Sequence, residues 1–473
     1  MFHDLFFLLL YYVKFLIIYE RHVMKRLCLI MISFVQMQQC METTQMTPQQ
    51  KWRDQFNALD KQKYNDVVNY DLDLRLWQDD RNNVVHNNVS LLAHGWGANP
   101  TTMIDYARLE GSPHSIPGDK VTFNFSDAYS NYDLFILNSN FGQAEDVKSL
   151  LAAMIVMYDS CWAQHKIGCN LFGQSRGAAA IANTLAVLNT KLDEWNEAFT
   201  GIKNNLTDES RDQIIAMLKK GVVVLDTPMV TVQEGTHAHV HAWLKGMVFE
   251  KLVSNIIHDY ILPICTDYSP EGMQALTSVQ NMPNDLKLLV HFQNNDAAVG
   301  NALDKEFAKI LVNHLGENNV WIVLGDDKDA QFDDETWQML QNADNDWKIQ
   351  PKLWLCGSGL VGRAVTAHNA GFIALLQSGV LNAFFKNNDC SYYEGHGKLD
   401  DALEILEKAH CVKNFDEHFK NYNMNPPSLA LVPSVTYYYD TEDSSKDTSF
   451  DEKFNWSGMF SDLSSFVSLE DSL

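Results

Sequence analysis

Basic residues are scarce. The chain of 473 residues has 36 lysines and arginines against 60 aspartates and glutamates, a formal charge of −24. Phosphate contacts need a basic surface, so this balance excludes nucleic acid as a partner and predicts no strong attraction to an anionic membrane. Long apolar runs are also missing. The two apolar stretches near the N-terminus, residues 6–18 and 27–35, fall short of the roughly 20 residues that a spanning helix needs. No two cysteines form a C-x-x-C pair, which removes the usual frame of a structural zinc site. There is no P-loop, no dinucleotide fingerprint and no internal repeat, and no cofactor is expected.

What is present begins with a leader pattern. Met24-Lys25-Arg26 opens a second, positively flanked apolar run that ends in polar Gln36-Met37-Gln38-Gln39-Cys40. A charged start, a short apolar stretch and a polar exit read as a signal peptide. Residues 1–40 are thus expected to direct export, giving a secreted or periplasmic protein, with an N-terminal membrane anchor as the alternative. Beyond them lie Cys161, Cys169, Cys265, Cys356, Cys390 and Cys411, scattered singly. Disulfides and free buried thiols both fit this spacing.

The most telling local pattern is Gly173-Gln174-Ser175-Arg176-Gly177. A strand-like apolar run, 167–172, precedes it, and a helix-like run rich in alanine, 178–188, follows. A sharp strand-to-helix turn needs small residues at its flanks, and it lifts the serine hydroxyl off the end of a sheet. The helix N-terminus then points at the site, where negative charge develops during acyl transfer. Upstream, the buried-strand pattern 89–93 leads into His94-Gly95-Trp96-Gly97, a loop whose glycines let backbone N–H groups come close to an oxyanion.

Together, in this order, the two motifs resemble the α/β-hydrolase superfamily over roughly residues 85–385. The resemblance implies an α/β fold with a mostly parallel central sheet flanked by helices. It implies Ser175 as nucleophile and an oxyanion hole built from Arg176 and the Gly95–Trp96 loop. Strand patterns agree with that layering: one or two strands within 67–77, then 120–125, 222–226, 286–292 and 320–324. A helix is expected over 142–157, where Val147, Leu150, Leu151, Met154 and Ile155 recur at helical spacing.

About 60 residues separate the strand ending at Asp226 from the one starting at Leu286, too many for a plain crossover. The resemblance implies an inserted cap or lid, about 230–285. Trp243, Met247 and Ile257 belong to an apolar stripe there that would line a pocket mouth or simply pack on the core. A serine hydroxyl needs a histidine to take its proton and a carboxylate to fix that histidine's tautomer. The resemblance implies an acid at the end of one of these strands: Asp296, just past the strand 286–292, is the candidate, and Asp226, closing the preceding strand, is the alternative. No histidine follows the last strand directly. His368, ahead of a helix-like run at 372–385, is the candidate base, and His396, between two glycines, is the alternative. An acidic insertion of about 326–366 must then separate the last strand from His368.

Other patterns compete less well. His237-Ala238-His239-Val240-His241 brings histidines close enough to suggest a metallohydrolase, but further ligands are lacking, and no metal site is assigned. Residues 437–473 form an acidic, serine-rich tail with aromatics, expected to be flexible. The expected domain plan is a hydrolase domain over 41–436 between leader and tail. The expected activity is carboxylic-ester hydrolysis, esterase- or lipase-like, on a small-molecule or lipid-like substrate. A non-catalytic binding protein of the same fold is the main rival.

Overall fold

The computed structural model describes residues 46–59, 72–95, 116–125, 143–244, 250–261, 272–293, 299–325 and 379–394, and single residues at 65, 68, 103, 296, 368 and 375. The leader, the acidic insertion and the C-terminal tail lie outside the described residues. The chain divides into two compact units, Met1–Asn57 and Ala58–Leu473. In the first, helix α1 (Pro48–Ala58) sets the rings of Trp52 and Phe56 edge to face, with centroids 6.1 Å apart.

The second unit is built on a seven-stranded sheet in the order β1-β4-β3-β5-β6-β7-β8. Its strands are β1 (Arg75–Trp77), β3 (Asn88–Ala93), β4 (Lys120–Thr122), β5 (Gly168–Gln174), β6 (Val223–Asp226), β7 (Leu288–Gln293) and β8 (Val320–Gly325). Only β1 runs antiparallel, against β4. All other neighbours are parallel. A separate short ladder joins β2 (Val84–Val85) to β9 (Tyr392–Tyr393).

Parallel strands are covered on both faces, so their sequences run as nearly continuous apolar stretches. Val223, Val224, Leu225, Leu288, Leu289 and Val290 are all fully buried. Each such side chain contributes about 1.5–3 kcal/mol when removed from water. The strand expected over 120–125 stops at Thr122. The Phe125 N–H donates to His94 Nε2 at 3.3 Å instead of to a strand carbonyl, which takes the backbone out of the ladder.

Helix α2 (Gln143–Met157) and helix α3 (Arg176–Asn189) lie side by side on the sheet, followed by α4 (Asp208–Lys220). Between β6 and β7 the described chain is helical, with α5 (Val232–Leu244), α6 (Glu250–Ile256) and a π-helical turn, Ile257–Ile261. Helix α7 (Asp304–Leu315) links β7 to β8. The expected run 372–385 lies partly outside the described residues; its described end belongs to α8 (Val380–Asn387), entered through Gly379 at φ 75°. Phe384 of α8 packs on Trp321 of β8, with centroids 5.3 Å apart.

The chain leaves β3 for β4 on one side and then returns to place β5 on the other. Connections that part in this way leave a crevice at the C-terminal ends of the two strands. The register aligns those ends: Ala93 pairs with Gly173, Gln174 with Asp226, Asp226 with His291, and Gln293 with Gly325. His94, Ser175, Asp226 and the residues after Gln293 therefore emerge along one edge.

Outside that edge a buried ionic cluster is paired around Asp79. Lys120 Nζ donates to the Gly118 carbonyl at 2.7 Å and lies 3.4 Å from Asp79 Oδ2. Burial pushes the lysine down to about 8, against the pull of Asp79. Arg81 closes on Asp79 at 2.6 Å and lays its guanidinium over the Tyr393 ring at 4.6 Å. Cys161, Cys169 and Cys390 are free and buried, and burial pushes Cys161 and Cys390 up to about 12.

A close backbone approach fixes the start of α3 on the sheet. A Cβ placed on Gly177 would sit 2.1 Å from the Ala93 carbonyl oxygen, and one on Gly173 2.6 Å from the Ala178 nitrogen. Both contacts are with backbone and cannot be relieved by a rotamer change. Gly177→Ala is therefore expected to cost about 1–3 kcal/mol or to prevent folding altogether. An unshifted urea midpoint would mean that α3 can lift off β3.

Candidate active site

Ser175 sits between β5 and α3 with φ 55° and ψ −118°, outside the regions that a serine favours. Such strain costs about 1–3 kcal/mol and persists only where surrounding bonds enforce it. Here the Ser175 N–H donates to the Asp226 carbonyl at 2.9 Å. The Ser175 carbonyl accepts from Ala179 N–H at 3.1 Å and from Met229 N–H at 3.3 Å. The residue remains 9% exposed.

Gly95 stands directly against this serine. A Cβ on Gly95 would lie 3.3 Å from Ser175 Cβ and 3.8 Å from its Oγ. The loop is fixed by His94, whose Nδ1 bonds the Gly95 carbonyl at 2.9 Å while Nε2 accepts from Phe125. Trp96 lies outside the described residues. Arg176 is the first residue of α3, and the leading N–H groups of a helix have no acceptor within it. Its side chain turns away into the core. There Nε donates to Asp146 Oδ2 at 2.8 Å, Nη2 donates to Asp146 Oδ1, and the guanidinium lies 4.7 Å from the centre of the Phe125 ring. The sequence singled out Arg176 for its backbone; Asp146, which anchors its side chain from α2, was not anticipated.

The candidate acid and base meet. His368 Nδ1 donates to Asp296 Oδ2 at 2.6 Å, and both residues are buried. Asp296 Oδ1 accepts from Val299 N–H at 3.2 Å. That leaves His368 Nε2 buried with no hydrogen-bond partner. Burial works against the charged imidazole, but the Asp296 carboxylate, by charge and by hydrogen bond, outweighs it, with a further contribution from Asp226. The histidine is held above its ordinary value.

The alternative acid, Asp226, has another partner. Its Oδ1 receives His291 Nδ1–H at 2.6 Å, and both side chains are fully buried. His291 was not singled out by sequence. The signal was there in register form: a strand-ending aspartate opposite a histidine on the neighbouring strand. The alternative base, His396, lies outside the described residues.

The stripe expected at the pocket mouth is seen in part. Ile257 is half-buried, Trp243 is on α5 with its side chain outside the described residues, and Met247 lies outside them. Leu252, Ile256 and Tyr260 are exposed at 60%, 37% and 65%. Of the histidine cluster, His237 is an exposed residue of α5 with Nδ1 3.4 Å from Ser254 Oγ. Among the described residues no group of three or more His, Cys, Asp or Glu side chains converges as a metal site. A narrow cavity runs beside the start of α3, lined by Arg176, Ala179, Ala180, Asn183, Met229 and Val232.

No protein-family model and no curated protein matches the sequence. Among solved structures, an esterase of Pyrococcus furiosus is similar at 13% identity, over 57% of this chain and 85% of that one, with a TM-score of 0.32. The apo form of esterase 2 of Thermogutta terrifontis is similar at 12% identity, over 56% of this chain and 81% of that one, with a TM-score of 0.33. The same enzyme phosphonylated by sarin gives 12% identity, 56% and 82% coverage, and a TM-score of 0.33. Likeness at this level leaves the chemistry to be argued from the residues.

The pairing makes a spectroscopic prediction. In an NMR titration His368 is expected to lose its proton above pH 6.5, the ordinary histidine value, because Asp296 favours the imidazolium. Asp296→Asn is expected to move that midpoint down, leaving burial to dominate. A midpoint unchanged by Asp296→Asn would separate the two groups in solution.

Proposed function

We propose that the chain is a serine hydrolase that cleaves carboxylic esters through an acyl-enzyme. The observation that carries this reading is the buried His368–Asp296 pair at 2.6 Å, with Nε2 unpartnered, on the sheet edge where strained Ser175 emerges. A carboxylate bonded to Nδ1 fixes the imidazole in the tautomer whose Nε2 lone pair can accept a proton. A histidine so oriented, raised in basicity and left without another partner, is what a serine hydroxyl requires of its base.

In this mechanism Ser175 Oγ attacks the ester carbonyl as His368 Nε2 takes its proton. Asp296 stabilises the imidazolium that results. The oxyanion is met by the N–H groups of Arg176 and the Gly95–Trp96 loop. His368 then returns the proton to the departing alkoxide. Water, activated by the same histidine, attacks the acyl-enzyme and frees the acid and Ser175. The strain at Ser175 is held by backbone bonds to Asp226, Met229 and Ala179, which fix the turn that carries the hydroxyl. The apolar faces of α5, α6 and the following turn, with Trp243, Met247 and Ile257, form the cap side of the substrate site in this reading.

Ser175→Ala and His368→Ala are each expected to lower kcat on short-chain aryl esters by about four orders of magnitude, because members of such a set act as a unit. Ser175→Ala is also expected to abolish labelling by a fluorophosphonate probe. Folded wild-type protein that neither turns over esters nor accepts the probe would leave the fold as a non-catalytic binding protein.

A further inference from the structure

The segment after β7 that bears Asp296 is held from outside itself. Glu234, in the first turn of α5, reaches across to it. Its Oε1 accepts from Leu303 N–H at 3.1 Å, at the entry to α7, and the Ala302 N–H also bonds to this carboxyl. Its Cγ packs on Gly300, where an added Cβ would come within 2.6 Å. Gly300, at φ 84°, donates its N–H to the Asp296 carbonyl at 3.2 Å. The chain of contact therefore runs from Glu234 through Gly300 to the backbone of Asp296 and on to His368. Glu234 Oε2, by contrast, is buried with no partner. A carboxyl oxygen left bare in the interior is costly, and its retention calls for a reason.

We propose that Glu234 is a positioning residue of the site, latching the Asp296–Leu303 loop so that Asp296 meets His368 in the geometry seen here. The proposal rests on the hydrolase reading for its catalytic consequence but not for its structural one.

The carboxyl also lies in the path of pH. Burial raises its pKa from 4.5 to about 7, the amides of Leu303 and Ala302 pull the other way, and the charge of Asp296 adds to the rise. Two titratable groups described nearby have partners of their own. Asp304, in the first turn of α7, takes Asn301 Nδ2 at 3.0 Å, and exposed His237, one turn along α5, lies 3.4 Å from Ser254 Oγ. Below neutrality Glu234 is uncharged. Above it, two carboxylates share one small region. A folded value above the unfolded one means stability that is present at low pH and lost as pH rises through about 7. Glu234→Gln is accordingly expected to gain melting temperature over wild type at pH 8 more than at pH 5.

The deciding experiment uses the full chain and two readouts. The first is the low-field imidazole N–H resonance of His368, assigned by its loss in His368→Ala. The resonance of the Asp226–His291 pair serves as an internal check that the fold is intact. The second is the split of kcat from KM on a short-chain aryl ester. Glu234→Ala is expected to move or erase the His368 resonance and to lower kcat about 10–100-fold with KM little changed, the scale of a small misplacement. Glu234→Gln, which keeps an acceptor oxygen for the two amides, is expected to restore the resonance and most of kcat.

If Glu234→Ala keeps the resonance and kcat while only its melting temperature falls, Glu234 is a structural contact and the proposal is overturned. If Gln fails to rescue what Ala loses, the charge rather than the latch is at work, and the proposal is again overturned. A wild-type protein with no esterase activity whose resonance still responds to Glu234→Ala would sink the hydrolase reading and leave the latch standing.

Discussion

Everything at the working edge of the sheet depends on how closely the first turn of α3 lies on the end of β3. Gly177 meets the Ala93 carbonyl with no room for a methyl group between them. That contact brings the serine turn against Gly95, so one backbone approach positions both the proposed nucleophile and the proposed oxyanion loop. The alanines that follow, Ala178, Ala179, Ala180 and Ala182, are all buried and let the helix axis stay close to the strands. Larger side chains there would push the helix outward and take Ser175 with it.

The same edge buries an unusual concentration of charge, and each carboxylate has a designated partner. Asp146 takes Arg176, Asp226 takes His291, and Asp296 takes His368. Removing one member of a buried ion pair costs about 3–5 kcal/mol, because the survivor is left uncompensated. The three pairs differ in what remains unused. Arg176 is engaged at both ends of its fork and also against Phe125, which suits a purely structural role. In the Asp226–His291 pair the bare atom is Asp226 Oδ2, an acceptor closed off in the interior. In the His368–Asp296 pair the bare atom is the imidazole Nε2, whose lone pair can take a proton from an alcohol. Chemistry is assigned to the pair whose leftover atom can do something.

Much of this was legible in the sequence, and the reasons are local. Parallel strands announce themselves as apolar β-branched runs, which is why 222–226 and 320–324 are found within a residue or two of their observed ends. The serine turn is marked by glycines that its geometry demands. Asp296 was chosen from its place after a strand, and His368 from its place ahead of an α-helical run, because the α/β-hydrolase resemblance implies an acid and a base at such places. What the sequence concealed depends on register and tertiary reach. His291 looks like any residue of an apolar strand until Asp226 is seen opposite it. Asp146 and Glu234 are ordinary acidic residues in the first turns of helices until their partners, 30 and 69 positions away, arrive. The strand at 120–125 ends early because a histidine from another loop claims the Phe125 amide, and no periodicity announces that.

The small β2–β9 ladder gives the chain a schedule as well as a shape. Val84 and Val85 pair with Tyr393 and Tyr392, and Ser391 Oγ accepts the N–H groups of Asn87 and Asn88. Arg81 reaches the Tyr393 ring from the same side. More than three hundred residues separate the two halves of this clasp. Contacts of such separation form late, after the entropy of ordering the intervening chain has been met by other interactions. On a ribosome, the segment leading into the central strand β3 must wait with its hydrogen-bonding groups open while the rest of the sheet is made. The clasp closes only once residue 393 has been made, so a chain cut short before residue 391 leaves the entrance to β3 unsealed.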